Sequence, residues 1–242
     1  MSAQETRIAD LEKEVARLQS CLTVKGAPRK DWSEKIENFK FNTIEEALEA
    51  IKQGEFVVVL DNEDRENEGD LVAAAELMTP EKMAFMIRHT SGIVCLSLTK
   101  PDQERLELPI MVVNNTEKHR TAFTHTVDYA VGTTTGISAG DRSATVTAAC
   151  DSSIKASEFN RPGHIFPLVS VEGGVLTRMG HTEATSDLCK LAGLKPMGVL
   201  CEIVLDNGNM ARRSDLETFS REYGLKIITI SDLIEYRKTN NI

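Results

Sequence analysis

Residues 61–70 read DNEDRENEGD, which is six carboxylates, two asparagines, an arginine and a glycine in ten positions. They follow FVVVL, residues 56–60, an apolar run of the kind that forms a buried strand. A charge run at a strand mouth has two readings, a solvated turn or a loop for a hard cation. Magnesium needs only one or two carboxylates beside substrate oxygens, so the composition suits it. An EF-hand is excluded, because its fifth and sixth loop positions are Arg65 and Glu66 rather than an oxygen ligand and a glycine.

A second stretch, TRMGHTEATSDLCKLAGL at 177–194, reads as a helix with Leu188, Leu191 and Ala192 on one face. Arg178, Gly180, His181 and Thr182 fall at its start. A helix N-terminus offers unpaired N–H groups and the positive end of a dipole. Gly180 lets backbone approach an anion closely, and Arg178 can grip phosphate with a fork. The alternative is that Thr182 or Ser186 merely caps the helix. The pair His181-x-Glu183 also suggests a zinc deaminase, but the required P-C-x-x-C is missing: Pro196 precedes Met-Gly-Val, and Cys201 stands alone. No HExxH is present either.

Three weaker signals accompany these. TTTGISAGDRSATV, 133–146, carries two glycines and several hydroxyls before a predicted helix, yet matches neither a P-loop nor GxGxxG. NRPGHIFPL, 160–168, sets His164 at a strand entry after a Pro-Gly turn, where a histidine is either structural or catalytic. Glu202 interrupts the apolar run VLCEIVL. It either faces solvent by alternation or is a buried carboxylate, and so a candidate acid or base. Together the inventory suits metal-assisted enolisation of a phosphorylated sugar.

The elements that must position these groups are legible in part. TIEEALEAIKQG opens with a capping-box pair, Thr43 and Glu46, buries Ile44, Ala47, Leu48 and Ile51 on one face, and ends at Gly54. LVAAAE and IVCLSL read as strands, and TPEKMAFMIRHTSG as a helix with Thr79 as N-cap and Pro80 at its first position. FTHTVDYAV, 123–131, alternates like a half-buried strand, and DRSATVTAAC reads as a helix despite its β-branched residues. HIFPLVS, VLCEIVL and KIITI read as strands. SDLETFSREYG carries the capping pair Ser214 and Glu217, and SDLIEYRK is a last helix. Strands and helices interleave, but not strictly. The expected class is α/β (α+β): a layered α-β-α sandwich with a mixed sheet, plus an N-terminal amphipathic helix.

That extra helix rests on Ile8, Leu11, Val15, Leu18 and Leu22, an a/d seam of about two to three heptads. KGAPRKDWSEK, 25–35, reads as a linker, which divides the chain into 1–40 and 41–242. At 242 residues and 41% hydrophobic the chain can bury a sizeable core. No apolar run approaches a membrane span, and the acid-rich N-terminus resembles neither a secretory signal nor a mitochondrial transit peptide. A net charge of −9 disfavours a broad nucleic-acid surface. Five cysteines without a CxxC pair argue against structural zinc and a disulfide framework. Cys95 and Cys201 read as core thiols in a reducing compartment, and the expected location is the cytoplasm.

DNEDRENEGD, TTGISAGDRSATV, RPGHIFPL, GHTEATSDLCKLAG and GVLCEI, in this order, resemble the motifs of the 3,4-dihydroxy-2-butanone 4-phosphate synthase family. The resemblance runs from about residue 43 to about 238. It implies conversion of D-ribulose 5-phosphate to L-3,4-dihydroxy-2-butanone 4-phosphate and formate, by enolisation, dehydration and skeletal rearrangement, for riboflavin biosynthesis. It implies two magnesium ions per site, replaceable by manganese, and a homodimer with active sites at the interface. It does not imply a nucleic-acid or membrane partner. Glu66 would bridge both metals and His181 would complete one coordination shell. Arg65 and Asp70 would contact the sugar. Arg178, Met179, Gly180, His181 and Thr182 would hold the phosphate end. His164 and Glu202 would carry protons. Glu68, Thr135, Asp141 and Arg142 would line or brace the pocket. A histidine among oxygen ligands tilts preference toward manganese.

The first forty residues have no counterpart in that family and are expected to add a dimer or higher-order contact. Many members continue into a GTP cyclohydrolase II domain, whereas this chain ends at Ile242 and is expected to have the single activity. The rival reading is a catalytically dead relative acting as a binding or assembly module. The presence of Glu66, His164, His181 and Glu202 counts against it. The acidic loop is expected to close on substrate.

Overall fold

A computed structural model of the chain describes residues 39–242. The expected N-terminal helix, the linker at 25–35 and Cys21 lie outside the described residues.

The chain enters through α1 (Ile44–Lys52), closed by the reciprocal Thr43–Glu46 capping box. Strands β1 (Val57–Leu60) and β2 (Gly69–Ala74) follow, with the acidic loop between them. Thr79 and Pro80 start α2 (Pro80–His89), as their types require. Then come β3 (Cys95–Leu98), α3 (Lys100–Arg105), β4 (Val127–Tyr129) and α4 (Ala139–Cys150). β5 (Phe159–Val169), α5 (His181–Leu191), β6 (Gly198–Glu202), α6 (Arg213–Tyr223), β7 (Lys226–Thr229) and α7 (Ile230–Asn240) complete the fold.

The strands form one seven-stranded sheet in the order β4-β5-β3-β6-β2-β1-β7. It is mixed: β1 runs parallel to β7 and β3 to β5, while β2 and β6 run antiparallel to their neighbours. Both faces are apolar, because successive side chains of a strand point to opposite sides. On β1, Val58 and Leu60 join the core beneath α2, α4 and α6, with Met83, Met86, Val146, Leu216 and Phe219. Val57 and Val59 join the core beneath α1, α5 and α7, with Ile51, Ala184, Leu188 and Leu233. The result is the expected three-layer sandwich. Each fully buried Leu or Phe contributes about 1.5–3 kcal/mol. No helix among the described residues is long and apolar enough to cross a membrane.

Three local expectations need correction. Only Val127–Tyr129 of the alternating run 123–131 joins the sheet as a strand, and its pairing with β5 shifts register between Val127 and Asp128. Pro162 and Gly163 do not form a turn but lie inside β5. A Cβ at Gly163 would sit 2.0 Å from the Val127 carbonyl carbon, so a glycine is needed for β4 to come this close. The capping pair of α6 is not Ser214 with Glu217. The N-cap is Arg212, whose N–H donates to the Asp215 carboxylate at 2.9 Å. Two overlapping patterns, offset by two residues, competed there, and the sequence pattern alone does not choose between them.

Candidate active site

The acidic loop is a clasped turn. Asp61, buried at the end of β1, accepts from the Glu66 and Glu68 N–H groups at 3.0 and 2.9 Å and from Arg65 Nη1 at 3.1 Å. Its charge therefore organises the loop, while Glu63 and Asp64 face solvent. Arg212, at the start of α6, donates to the Glu66 and Asn67 carbonyls and ties the loop to the body.

This clasp turns Glu66 toward the start of α5. His181 is the first residue of that helix, behind the N-cap Gly180, which supplies no side-chain cap. Neither Thr182 nor Ser186 caps the helix. His181 is buried, with Nε2 3.1 Å from the Val59 carbonyl oxygen. A carbonyl only accepts, so Nε2 carries a proton and Nδ1 faces Glu66 at 3.5 Å and Asp70 at 3.8 Å. Asp70 stands directly opposite Glu202 across the β2–β6 ladder. Glu202 faces this space and accepts from Ser91 Oγ at 2.8 Å.

These groups line a cavity of about 210 Å³. It holds Arg65, Glu66, Glu68, Asp70, Arg178, His181, Thr182 and Glu202, all singled out by sequence. Its apolar floor is Cys95, Phe123, Leu168 and Leu200, which the sequence pattern marks only as core. Met179 is exposed in a neighbouring cavity that it shares with Arg65. Gly180 contributes by lacking a side chain: a Cβ there would lie 2.4 Å from Arg178 Nη1. Arg178 is engaged in this state. Its Nη1 donates to Glu183 at 2.6 Å and its Nη2 to Thr121 Oγ1 at 3.1 Å. Glu183 joins the site through Arg178, while Thr121 also lines the cavity itself, and no sequence motif announces Thr121.

The electrostatics are strained by crowded carboxylates. Burial raises the Asp70 carboxyl; His181 opposes this, but Glu202, Glu66 and Glu68 add to it, and the group reaches about 7. Burial alone would lower the His181 imidazole, but Asp70, Glu66 and Asp61 outweigh it and raise it to about 9. Burial would raise Glu66 too, yet hydrogen bonding to His181 and the Arg65 charge bring it to about 2. Burial and the neighbouring Glu66 raise Glu68.

The donor set fits a divalent cation. Asp61, Glu66 and His181 bring one ligand atom each within 4.8 Å of one another. Asp61 is engaged by the loop, which leaves Glu66 and His181 as the pair that could hold an ion. Asp70 Oδ1 is buried without a hydrogen-bond partner, an arrangement a cation beside it would relieve. The hydrogen bond from Nε2 to Val59 is the outer contact that orients a ligating imidazole.

His164, Thr135, Asp141 and Arg142 lie outside this cavity within a single chain. They form a second cluster. His164 Nδ1 is 2.7 Å from Asp128 Oδ2, and its own N–H donates to Asp128 Oδ1 at 2.8 Å. Asp141 accepts from Thr134 Oγ1, Thr134 N–H and Gly136 N–H and so shapes the loop 133–138. These bonds, the Thr134 hydroxyl foremost, lower its carboxyl. Thr135 is exposed on that loop. Arg142 is buried and donates to the Gly92 carbonyl at 3.0 Å. Its guanidinium is lowered by burial. His164 shares the sheet face of Cys95, Glu202 and Asp70, with β3 lying between β5 and β6. Two strand spacings put it about 10 Å from Glu202. Asp128 lies within the alternating run 123–131, whose pattern does not single it out.

A family model for 3,4-dihydroxy-2-butanone 4-phosphate synthase matches residues 45–236. The 3,4-dihydroxy-2-butanone 4-phosphate synthase of Klebsiella pneumoniae (strain 342) is 55% identical over 82% of this chain and 91% of its own length. The chloroplastic bifunctional riboflavin biosynthesis protein RIBA 1 of Arabidopsis thaliana is 59% identical over 82% of this chain, which spans 37% of that relative's length. A crystal structure of 3,4-dihydroxy-2-butanone 4-phosphate synthase in complex with two magnesium ions superposes with a TM-score of 0.80 at 45% identity, covering 83% of this chain and 99% of that one.

Proposed function

Because the chain belongs to the 3,4-dihydroxy-2-butanone 4-phosphate synthase family, we propose that it converts D-ribulose 5-phosphate to L-3,4-dihydroxy-2-butanone 4-phosphate and formate, in riboflavin biosynthesis. The observation that carries the proposal is the convergence of Glu66, Asp70, His181 and Glu202 on one cavity beside a helix start. The reaction is a lyase-type enolisation, dehydration and rearrangement. The water lost in dehydration returns when the fourth carbon leaves as formate, so atoms balance overall.

Glu66 and His181 would hold the divalent metal, two magnesium ions per site or manganese in their place, a reading supported by the relative crystallised with two magnesium ions. When bound, such an ion supplies Lewis-acid stabilisation of charge developing on the sugar oxygens. Arg65 and Asp70 bind sugar hydroxyls, with Glu68 bracing them. The backbone from Arg178 through Met179, Gly180 and His181 to Thr182 receives the phosphate at the positive end of α5. Glu202, steadied by Ser91, and His164, through Nε2, carry protons. The apolar floor keeps water from a reactive enediol.

The active site completes itself at a homodimer interface. Support comes from His164, which lies outside the cavity on its own chain, and from the apolar residues Ile93, Val131 and Ile137, each at least half exposed. The synthase domain spans 41–242, with 1–40 a separate segment that adds an assembly contact. A reducing, cytoplasmic setting is supported by four buried, unpaired cysteines among the described residues.

The test is formate release from ribulose 5-phosphate, with magnesium and then with chelator, for wild type and Glu66→Ala. Magnesium-dependent formate that disappears in the variant is expected. No formate from folded wild type would overturn the proposal in favour of a binding module.

A further inference from the structure

The Asp128–His164 pair has the geometry of a tautomer lock. Asp128 is almost wholly buried and gives both oxygens to one residue: Oδ1 accepts the His164 backbone N–H at 2.8 Å, and Oδ2 lies 2.7 Å from Nδ1. The backbone bond fixes the carboxylate relative to β5, so the ring is gripped at a predetermined angle. The loop 133–138 closes over the pair. Gly136 adopts φ +89°, and a Cβ there would sit 1.9 Å from Asp128 Oδ2 and 2.8 Å from His164 Nδ1. Only a glycine lets the loop come this close, and its N–H is in turn held by Asp141 at 3.1 Å. The far side of the imidazole stays open, the side chain being 42% exposed.

We propose that Asp128 is a positioning residue for the reaction: it holds the His164 proton on Nδ1 and leaves the Nε2 lone pair facing outward to exchange protons with substrate. This rests on the reading of His164 as a proton carrier. The physical reason is that a carboxylate accepting at Nδ1 forces the neutral imidazole into the Nδ1–H tautomer. The same carboxylate stabilises the imidazolium formed when Nε2 takes up a proton. Gly136 and Asp141 support the lock from behind, which gives the glycine-rich loop a task that needs no contact with phosphate.

Asp128→Asn tests it. The amide keeps the shape and still offers an oxygen to the His164 N–H. Its NH₂ group then points at Nδ1, which must become the acceptor, moving the proton to Nε2. In ¹⁵N NMR of the imidazoles, with His164 assigned by its loss in His164→Gln, wild type should carry the proton on Nδ1 and Asp128→Asn on Nε2. A wild-type ring protonated on Nε2, or an unchanged tautomer in a folded variant, overturns the proposal. That readout needs no turnover, so it decides the point even if formate release fails. Kinetically, kcat should fall on the order of 10²- to 10⁴-fold with little change in KM. In a His164→Gln background, Asp128→Asn should lower the rate no further. A further loss would mean Asp128 only braces the fold, and would overturn its role through His164.

Discussion

Two groups of functional side chains share one face of the sheet, and they are built on opposite electrostatic plans. In the cavity, Glu66, Glu68, Asp70 and Glu202 crowd around His181, and Asp70 Oδ1, 3.8 Å from His181 Nδ1, has no hydrogen-bond partner. Around His164 the carboxylates are satisfied: Asp128 has both oxygens bonded, and Asp141 accepts three bonds from its own loop, so that the buried atom left without a hydrogen bond there is Nε of the cation Arg142. The difference separates two kinds of readiness. The cavity concentrates carboxylates that repel one another, an arrangement that a divalent cation would relieve. The carboxylates of the His164 cluster are already neutralised or hydrogen-bonded within the fold itself.

Loss of a cavity ligand should break this contrast most severely. Glu66→Ala and His181→Ala should each weaken Mn²⁺ binding, followed by electron paramagnetic resonance, and depress formate release on the order of 10³-fold. His164→Ala should abolish turnover yet bind Mn²⁺ like wild type. Equal Mn²⁺ loss in all three variants would erase the distinction between the two regions.

Mixing tests whether the regions meet across an interface. Neither Glu66→Ala nor His164→Ala should turn over alone, but co-refolded heterodimers would contain one intact site. Roughly a quarter of wild-type formate release should return. Absence of recovery would place both groups in the service of a single chain.

Metal removal should expose the unsatisfied region through pH. His181 is raised to about 9 and Asp70 to about 7 in the folded chain. Both shifts favour the protonated forms. Their contribution is complete below the unfolded values, about 6.5 for a histidine and about 3.9 for an aspartate. It is lost as pH rises through the folded ones. The chelated protein should therefore lose melting temperature between about pH 4 and pH 9, by a few degrees in thermal scans. Magnesium should flatten that slope, since it takes over the role of the protons. A slope unaffected by magnesium would argue against an ion at these groups.

The smallest effect should come from the loop anchor. Arg212→Ala removes the bonds to the Glu66 and Asn67 carbonyls and should raise KM several-fold with kcat retained. In wild type, substrate with magnesium should slow hydrogen exchange across 61–70. Identical exchange with and without them would mean the clasp built by Asp61 is already the closed state.

What was legible in the sequence follows from range. Thr43 with Glu46, and Thr79 with Pro80, act over one helical turn, and the structure reproduces them. Residues 65–70 and 178–182 are each contiguous, so their chemistry could be read as two words even though the fold must join them. Asp128 was not legible, because its meaning lies in His164, 36 positions away. Arg212 reaches Glu66 across 146 positions, and Ser91 reaches Glu202 across 111. The Ser214–Glu217 pattern misled for the opposite reason: two local motifs overlapped, and the contact of Arg212 with the loop favours the earlier start.

Asp70 and Glu202 face each other on neighbouring strands, and like charges set opposite one another weaken a sheet. A search for heat resistance would replace either one with an apolar residue and be rewarded at once. A search for turnover could spare neither. Random libraries of this chain, screened separately for survival on heating and for riboflavin prototrophy, should therefore part company at this pair of positions before any other in the sheet.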